Sequence, residues 1–428
     1  MSRWNQSRFI WFFAGDFFAL FLNALGYFLC ARCLSSFDFG LFSLCQNAIQ
    51  WFAPLVLWSF SSYGIYLIQA SHCPVRMAWR MTRFRLLVAS ISSLFILAFS
   101  FPLLSLNTTY QPLNVMIAMT FSSVLLLIRG LEQDHLSLAL DRVMCYYSFR
   151  IVYAGGFFLC ILFIWAMQDP SLFLLLALQV ASMIFAIIIQ RMFLKNELSG
   201  LRSQEVKATD SRLEPRDVLN AGMITGGSFC MMGAYNLDIF MLVYFRIGTA
   251  EEVATYAVLA KCVQFAVLPM SAAITSQVNT LARSYFDKDA DVFRTRWKKL
   301  AMITAISGVM GALGIIACGP FLLEMVLGKP HSLDFNIMAC FALIYLLIGL
   351  AAPSISVLPY VQAGKTYLAH YFIVLLVVVL ASLWFLPVYG IIGAPMALAA
   401  GLVVLTLSAT ISFYYMCMRQ FSTPSGLL

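Results

Sequence analysis

The chain is 428 residues long, 62% hydrophobic and only 11% charged, with a formal net charge of +8. A water-soluble domain is nearer half apolar and a quarter charged, so no soluble core could hide this much apolar surface, and lipid is the expected solvent. Apolar runs near the ~20 residues needed to cross ~30 Å of hydrocarbon recur along the whole length, which excludes a β-barrel with its ~10-residue alternating segments and leaves helices.

The first run, Phe9 to Cys30, follows Arg3 and Arg8 and looks like a secretory signal. It is too long for such a segment, carries Asp16 and Asn23, and lacks a small-residue cleavage site, so it reads as an uncleaved first span over 9–30. Further spans are expected at about 41–67, 86–106, 113–130, 147–167, 172–190, 218–244, 253–280, 300–325, 336–361, 367–388 and 391–417. With the N-terminus in the cytoplasm, 23 basic residues fall on the cytoplasmic side. They include Arg76, Arg80, Arg83 and Arg85 before the third span and Arg294, Arg296, Lys298 and Lys299 before the ninth. Arg32, Arg246 and Lys329 fall outside, and Lys261 alone lies within a span. This asymmetry places both termini in the cytoplasm. It also accounts for the basic balance without nucleic acid as a partner.

The longest polar stretch, Arg191 to Asp217, sits near the middle of the chain. The expected organisation is an N-lobe of six helices over residues 1–195, a cytoplasmic linker over 196–216, and a C-lobe of six helices over 217–428. The lobes look like copies offset by 214 residues, which brings Arg32 onto Arg246, Asp38 onto Glu252, Phe42 onto Tyr256, Asn47 onto Lys261, Gln50 onto Gln264 and Arg85 onto Lys299. Pro54 and Pro269 miss that offset by one. Ser35-x-x-Asp38 and Thr249-x-x-Glu252 each read as a capping box, with the carboxylate at the favourable end of the helix dipole. Copies separated by six spans run in the same direction, an arrangement typical of transporters that rock about a central site.

Charges within hydrocarbon cost at least ~2.5 kcal/mol and usually face protein or water. Asp16, Asn23 and Tyr27 share a face of the first span; Asp238 lies deep in the seventh, near Asn236; Lys261 lies in the eighth, with Gln264 on its face. Arg129 and Glu324 sit near span ends, where snorkelling accounts for them. The stripes on spans 1, 2, 7 and 8 are expected to line a polar interior. There Lys261 would hold an anion and Asp16 or Asp238 a proton or cation, unless one of these carboxylates simply pairs with Lys261.

Other chemistries are not written in the chain. "QAGKT" (362–366) has Pro359 where a nucleotide-binding loop needs its first glycine. There is no G-x-S-x-G and no H-E-x-x-H. The four histidines do not cluster, so neither a metal nor another cofactor is expected. Cys30 and Cys33 form a lone C-x-x-C that reads as small packing residues. Asn107-Thr108-Thr109 fits a short glycosylation pattern that arises often by chance. The chain is therefore expected to be a transporter and not an enzyme.

Residues 31–44, "ARCLSSFDFGLFSL", resemble the hallmark of Wzx-type polysaccharide flippases, members of the multidrug/oligosaccharidyl-lipid/polysaccharide exporter superfamily. Residues 236–261, "NLDIFMLVYFRIGTAEEVATYAVLAK", are similar to a second motif of that family, with Ala254 where a glycine is usual. The resemblance implies a multi-pass protein of the bacterial inner membrane. Such a protein turns an undecaprenyl-pyrophosphate-linked oligosaccharide across the bilayer by alternating access, for O-antigen, capsule or exopolysaccharide synthesis. A proton or sodium gradient would drive it, and a polysaccharide polymerase and a chain-length regulator would be partners. Lys261 and Arg129 would then attract the pyrophosphate, and Asn47, Gln50 and Gln264 would contact sugar hydroxyls. The alternatives are a cation-coupled multidrug extruder of the same fold or a flippase of another lipid-linked precursor.

Overall fold

The computed structural model describes residues 3–57, 74–106, 112–133, 136–137, 143–167, 171–205, 215–267, 270, 274, 277, 281, 284–285, 287–327, 335–359, 361 and 363–422. Pro269, the sequon at 107–109 and linker residues 206–214 lie outside them, as do the ends of the expected second and eighth spans. The described elements are all helical. They are α1 (Arg3–Cys33), α2 (Ser36–Leu57), α3 (Pro74–Leu106), α4 (Pro112–Arg129), α5 (Val143–Met167), α6 (Leu172–Glu205), α7 (Pro215–Phe245), α8 (Ala250–Ala266), α9 (Ala290–Leu327), α10 (Phe335–Ile355), α11 (Gly364–Tyr389) and α12 (Gly393–Ser422).

Local chemistry sets the ends of these helices. Proline opens α3, α4 and α7, where its missing N–H would be unpaired in any case. The capping box of α8 forms in full, and that of α2 forms in half, with the Ser35 hydroxyl rather than its backbone N–H meeting the carboxylate. Asp38 N donates to Ser35 Oγ at 3.0 Å and Ser35 Oγ to Asp38 Oδ2 at 2.7 Å. Glu252 N donates to Thr249 Oγ1 at 3.2 Å and Thr249 N to Glu252 Oε2 at 2.7 Å. After α7, Arg246 and Gly248 take φ of 55° and 81°, and Ile247 N reaches back to Leu242 O at 3.0 Å. Left-handed residues of this kind satisfy the last carbonyls of a helix and stop it.

Seven helical stretches among the described residues are long and apolar enough to cross a membrane, the last covering both α11 and α12. Phe17–Cys33 and Leu113–Arg129 are shorter apolar helices. The protein is an all-α multi-pass membrane protein. Helix α9, with 38 residues, is about 57 Å long at 1.5 Å per residue, so part of it extends past the hydrocarbon. Its basic opening turns, Arg294 to Lys299, precede an exposed apolar face of Met302, Ile306, Met310 and Leu313.

The chain divides into two compact units. The first holds Met1–Thr225, Gly248–Val258 and Glu324–Pro330, and the second holds Gly226–Ile247, Leu259–Leu323 and His331–Leu428. In the first, α1 packs on α5, α5 on α6, α3 on α4, and α2 on α4. Ile49, Leu125, Phe149, Met183, Ala186 and Ile187 meet in a core there. In the second, α12 packs on both α10 and α11, and Leu281, Phe293, Leu300, Val357, Val361 and Phe413 cluster. Close backbone approach holds α9 to α10. A Cβ on Gly349 would lie 2.7 Å from Thr304 O and 3.0 Å from Gly308 Cα, the small-residue packing that membrane helices use where lipid removes any hydrophobic drive between them.

Candidate functional site

Each unit carries its own buried polar system. In the first unit, α2 aims three amides inward. Gln46 Nε2 donates to Gln179 Oε1 at 3.0 Å, and Gln179 Nε2 donates to Tyr153 Oη at 2.9 Å. This chain links α2, α6 and α5. Asn47 is 2% exposed and its Oδ1 accepts no hydrogen bond. Gln50, one turn on, is half-buried.

The inner end of α4 lies beside this system. Arg129 Nε donates to Glu132 Oε1 at 3.1 Å, and Glu132 is 2% exposed. Tyr153 lies within electrostatic reach of both. Arg85 of α3 is 1% exposed. Its guanidinium donates to Glu132 O at 2.7 Å, Arg129 O at 3.1 Å and Val56 O at 3.3 Å. Arg85 thus caps α4 and ties it to α2, using the fork of donors that suits guanidinium to several acceptors at once. Gln133 N then donates to Gln190 Oε1 at 3.0 Å, which adds α6. Asp16 is placed on α1, and its side chain lies outside the described residues. Tyr27 Oη of the same helix lies 2.7 Å from Ser43 Oγ of α2.

In the second unit the stripes of α7 and α8 meet. Lys261 is 3% exposed and Asp238 6%. Lys261 Nζ donates to Gln264 Oε1 at 2.8 Å, and the ammonium lies within attractive reach of the Asp238 carboxylate. Asp238 Oδ1 accepts from Ile239 N at 2.8 Å. Asn236 Nδ2 donates to Met232 O at 2.8 Å, while its Oδ1 has no partner. The structure therefore brings Asp238, Lys261 and Gln264 together in one unit. Buried charges persist in this form only when they are paired.

Sequence reading singles out Asn47, Gln50 and Arg129 but passes over Gln46, Gln179, Tyr153, Glu132 and the burial of Arg85. Amides inside apolar runs are the signal that finds Gln46 and Gln179. No local signal separates Arg85 from its exposed neighbours Arg80 and Arg83. A tyrosine group in the second unit is also new. The rings of Tyr367 and Tyr371 lie 4.9 Å apart, Tyr235 is within electrostatic reach of both, and the buried His370 Nε2 beside them has no partner. Among the described residues no group of His, Cys, Asp or Glu is arranged to hold a metal.

No protein-family profile matches the chain, and no curated protein matches it. Solved structures do. An inward-facing multidrug resistance MATE family transporter of the MOP superfamily matches with a TM-score of 0.66 at 12% identity, over 94% of this chain and 95% of that one. An outward-facing one matches with a TM-score of 0.66 at 13% identity, over 97% and 94%. A MOP superfamily transporter from Pyrococcus furiosus, described as having a binding pocket of reverse polarity that suggests a different function, matches at 0.64 and 12% identity, over 97% and 96%. At this identity the likeness establishes the fold alone, one that the chain shares with these solved transporters.

The narrower expectation of a Wzx-type flippase is corrected by these likenesses, since the solved folds that match the chain end to end include MATE multidrug transporters. With it go the undecaprenyl-pyrophosphate-linked oligosaccharide as substrate, the polysaccharide polymerase and chain-length regulator as partners, and any role in O-antigen, capsule or exopolysaccharide synthesis. The physical reason lies in the motifs themselves. Within residues 31–44, Ser35 and Asp38 cap α2, and Phe39, Leu41, Phe42 and Leu44 are core residues at 2% exposure or less. Within 236–261, Arg246 and Gly248 stop α7, and Thr249 and Glu252 start α8. These positions build the fold.

Proposed function

We propose that the chain is a cation-coupled exporter of small amphipathic, drug-like molecules in the bacterial cytoplasmic membrane, working by alternating access. Its organisation in this reading is twelve spans in two six-helix lobes, 1–195 and 217–428, joined by the linker 196–216, with both termini cytoplasmic. The observation that carries the reading is the end-to-end likeness to multidrug transporters in both inward-facing and outward-facing forms.

The buried groups supply the roles. Asp238 is the coupling carboxylate. In the unloaded state it is held by attraction to Lys261, whose Nζ also bonds Gln264. A proton or cation arriving at Asp238 competes with that ammonium, and release of Lys261 marks the loaded state. A ligand can drive a conformational change only through differential affinity for two states, and a group that must exchange partners provides it. Asp16 is the second candidate for this role, in the first unit. Asn47, with an unpartnered buried oxygen, and Gln50 beside it contact the cargo. Arg129 is occupied by Glu132 and serves to hold the end of α4.

The test is efflux of a fluorescent cationic dye from proteoliposomes under an imposed pH or sodium gradient. Wild-type protein should extrude the dye with one of the gradients and stop when it is collapsed. Asp238→Asn should abolish coupling while the protein remains folded and membrane-inserted. Gradient-independent movement, or full activity of Asp238→Asn, would overturn the reading.

A further inference from the structure

A surface feature independent of the transport reading points to a lipid partner. Helix α3 carries Arg76, Arg80 and Arg83, all exposed, at spacings of four and three residues, so they share one helix face. Trp79, at 37% exposure, lies among them, and the helix continues into exposed Leu87, Ile91, Leu94 and Phe95. Basic residues with a tryptophan among them, followed by a bare apolar surface, mark a helix that passes from water through the headgroups into hydrocarbon.

Helix α6 adds to this end of the first unit. Arg191 and Lys195 are exposed there, together with Met192 and Phe193. Two hydrogen bonds set the level: Arg85 to Glu132 O at 2.7 Å and Gln133 N to Gln190 Oε1 at 3.0 Å. Residues 132 and 133 lie between them, so Arg83 and Arg191 stand at similar height.

Helix α3 brings no carboxylate of its own to this end, while Glu197 and Glu205 follow Lys195 on α6. Between Asp38 and Glu132 the sequence contains no Asp or Glu. Glu132 itself is 2% exposed and bonded to Arg129. The corresponding stretch of α9 differs. Arg294, Lys298 and Lys299 are exposed there too, but exposed Asp287, Asp289 and Asp291 precede them, and Asp289 Oδ1 accepts from Val292 N at 3.1 Å.

We propose that the Arg76–Arg80–Arg83 face of α3, with Arg191 and Lys195 of α6, docks the phosphate headgroups of anionic phospholipids. Charge complementarity selects this partner. A basic cluster at the bilayer surface gains about fivefold in lipid affinity per Arg or Lys from an anionic leaflet, and a zwitterionic headgroup offers no such gain. The apolar face below the arginines receives the acyl chains.

The experiment uses the full-length protein in nanodiscs of phosphatidylcholine mixed with phosphatidylglycerol, followed by extraction and mass spectrometry of the lipids it retains. Wild type should retain phosphatidylglycerol in excess of its share of the bilayer. Raising the salt should reduce that excess, since exposed charges are screened within about 10 Å at 0.1 M. R76Q/R80Q/R83Q should lower the excess by up to about 100-fold at low salt, R76K/R80K/R83K should keep most of it, and added inorganic phosphate should not compete. R294Q/K298Q/K299Q on α9 should change it little. Salt-independent retention by wild type, equal retention by the glutamine triple, or efficient competition by inorganic phosphate would each overturn the proposal. The salt series needs no variant, so salt-independent retention overturns the proposal even if the triple folds poorly.

Discussion

Helices α2 and α8 open with the same device. On each, a hydroxyl accepts from the N–H three residues on, Ser35 from Asp38 and Thr249 from Glu252, and the acidic side chain bonds back to the capping residue. Four residues further on, Phe42 and Tyr256 are both fully buried. The likeness then stops. Asn47 on α2 is a neutral amide with an unpartnered oxygen, whereas Lys261 on α8 is a charge held by Gln264 and attracted by Asp238. A second matched pair diverges further. Arg85 is buried against three carbonyls, and Lys299 is exposed. Matched positions that serve the backbone a few residues away stay alike. Positions that need partners from other helices go separate ways.

The largest test of this contrast lies at Arg85 and Lys299. Arg85→Ala removes the guanidinium that donates to the carbonyls of Val56, Arg129 and Glu132 and should cost about 3 kcal/mol. Lys299→Ala should stay within about 0.5 kcal/mol. Denaturation in detergent followed by circular dichroism measures both, and equal losses would erase the difference between the two positions.

The Asp238–Lys261 relation comes next. Asp238→Asn and Lys261→Met should each destabilise, because each strands a buried charge. The double variant should lose less than the two together, with a coupling of about 0.5–3 kcal/mol. Strict additivity would mean that the two charges do not support one another.

The caps should behave as twins. Ser35→Ala and Thr249→Ala are each expected to cost about 1 kcal/mol. A cost at one and none at the other, in the same denaturation assay, would break the likeness between α2 and α8.

Asn47→Leu should change stability least. Its Oδ1 makes no hydrogen bond to lose, so an apolar side chain of similar size should be neutral to within about 1 kcal/mol. Dye efflux should nevertheless fall. Unchanged efflux would remove Asn47 from the cargo-binding surface.

Part of the fold was legible in the sequence. Apolar length announces helices in lipid because the cost of an unpaired backbone group in hydrocarbon leaves no other open element. The capping boxes were legible because their two members lie three residues apart. The family motifs misled for the same reason: the cap and turn positions within residues 31–44 and 236–261 report how helices begin, end and pack, and folds that share those turns can carry different cargo. The candidate site was legible in halves. Asp238, Lys261 and Gln264 stand out as polar residues in apolar runs, and their burial together agrees with the physical argument that unpaired charges do not persist in hydrocarbon.

The sequence by itself determined that lipid is the solvent, that the elements are helices, and where α2 and α8 begin. Each of these follows from groups within a turn or two of one another. Only the tertiary structure decided that Arg85 is a buried clamp while Arg83 is exposed, that Arg129 is bound to Glu132, and that Gln46 reaches Gln179 and Tyr153. Those choices depend on which carbonyl, amide or phenol a distant helix brings within about 3 Å, and residue spacing along a chain carries no measure of that distance.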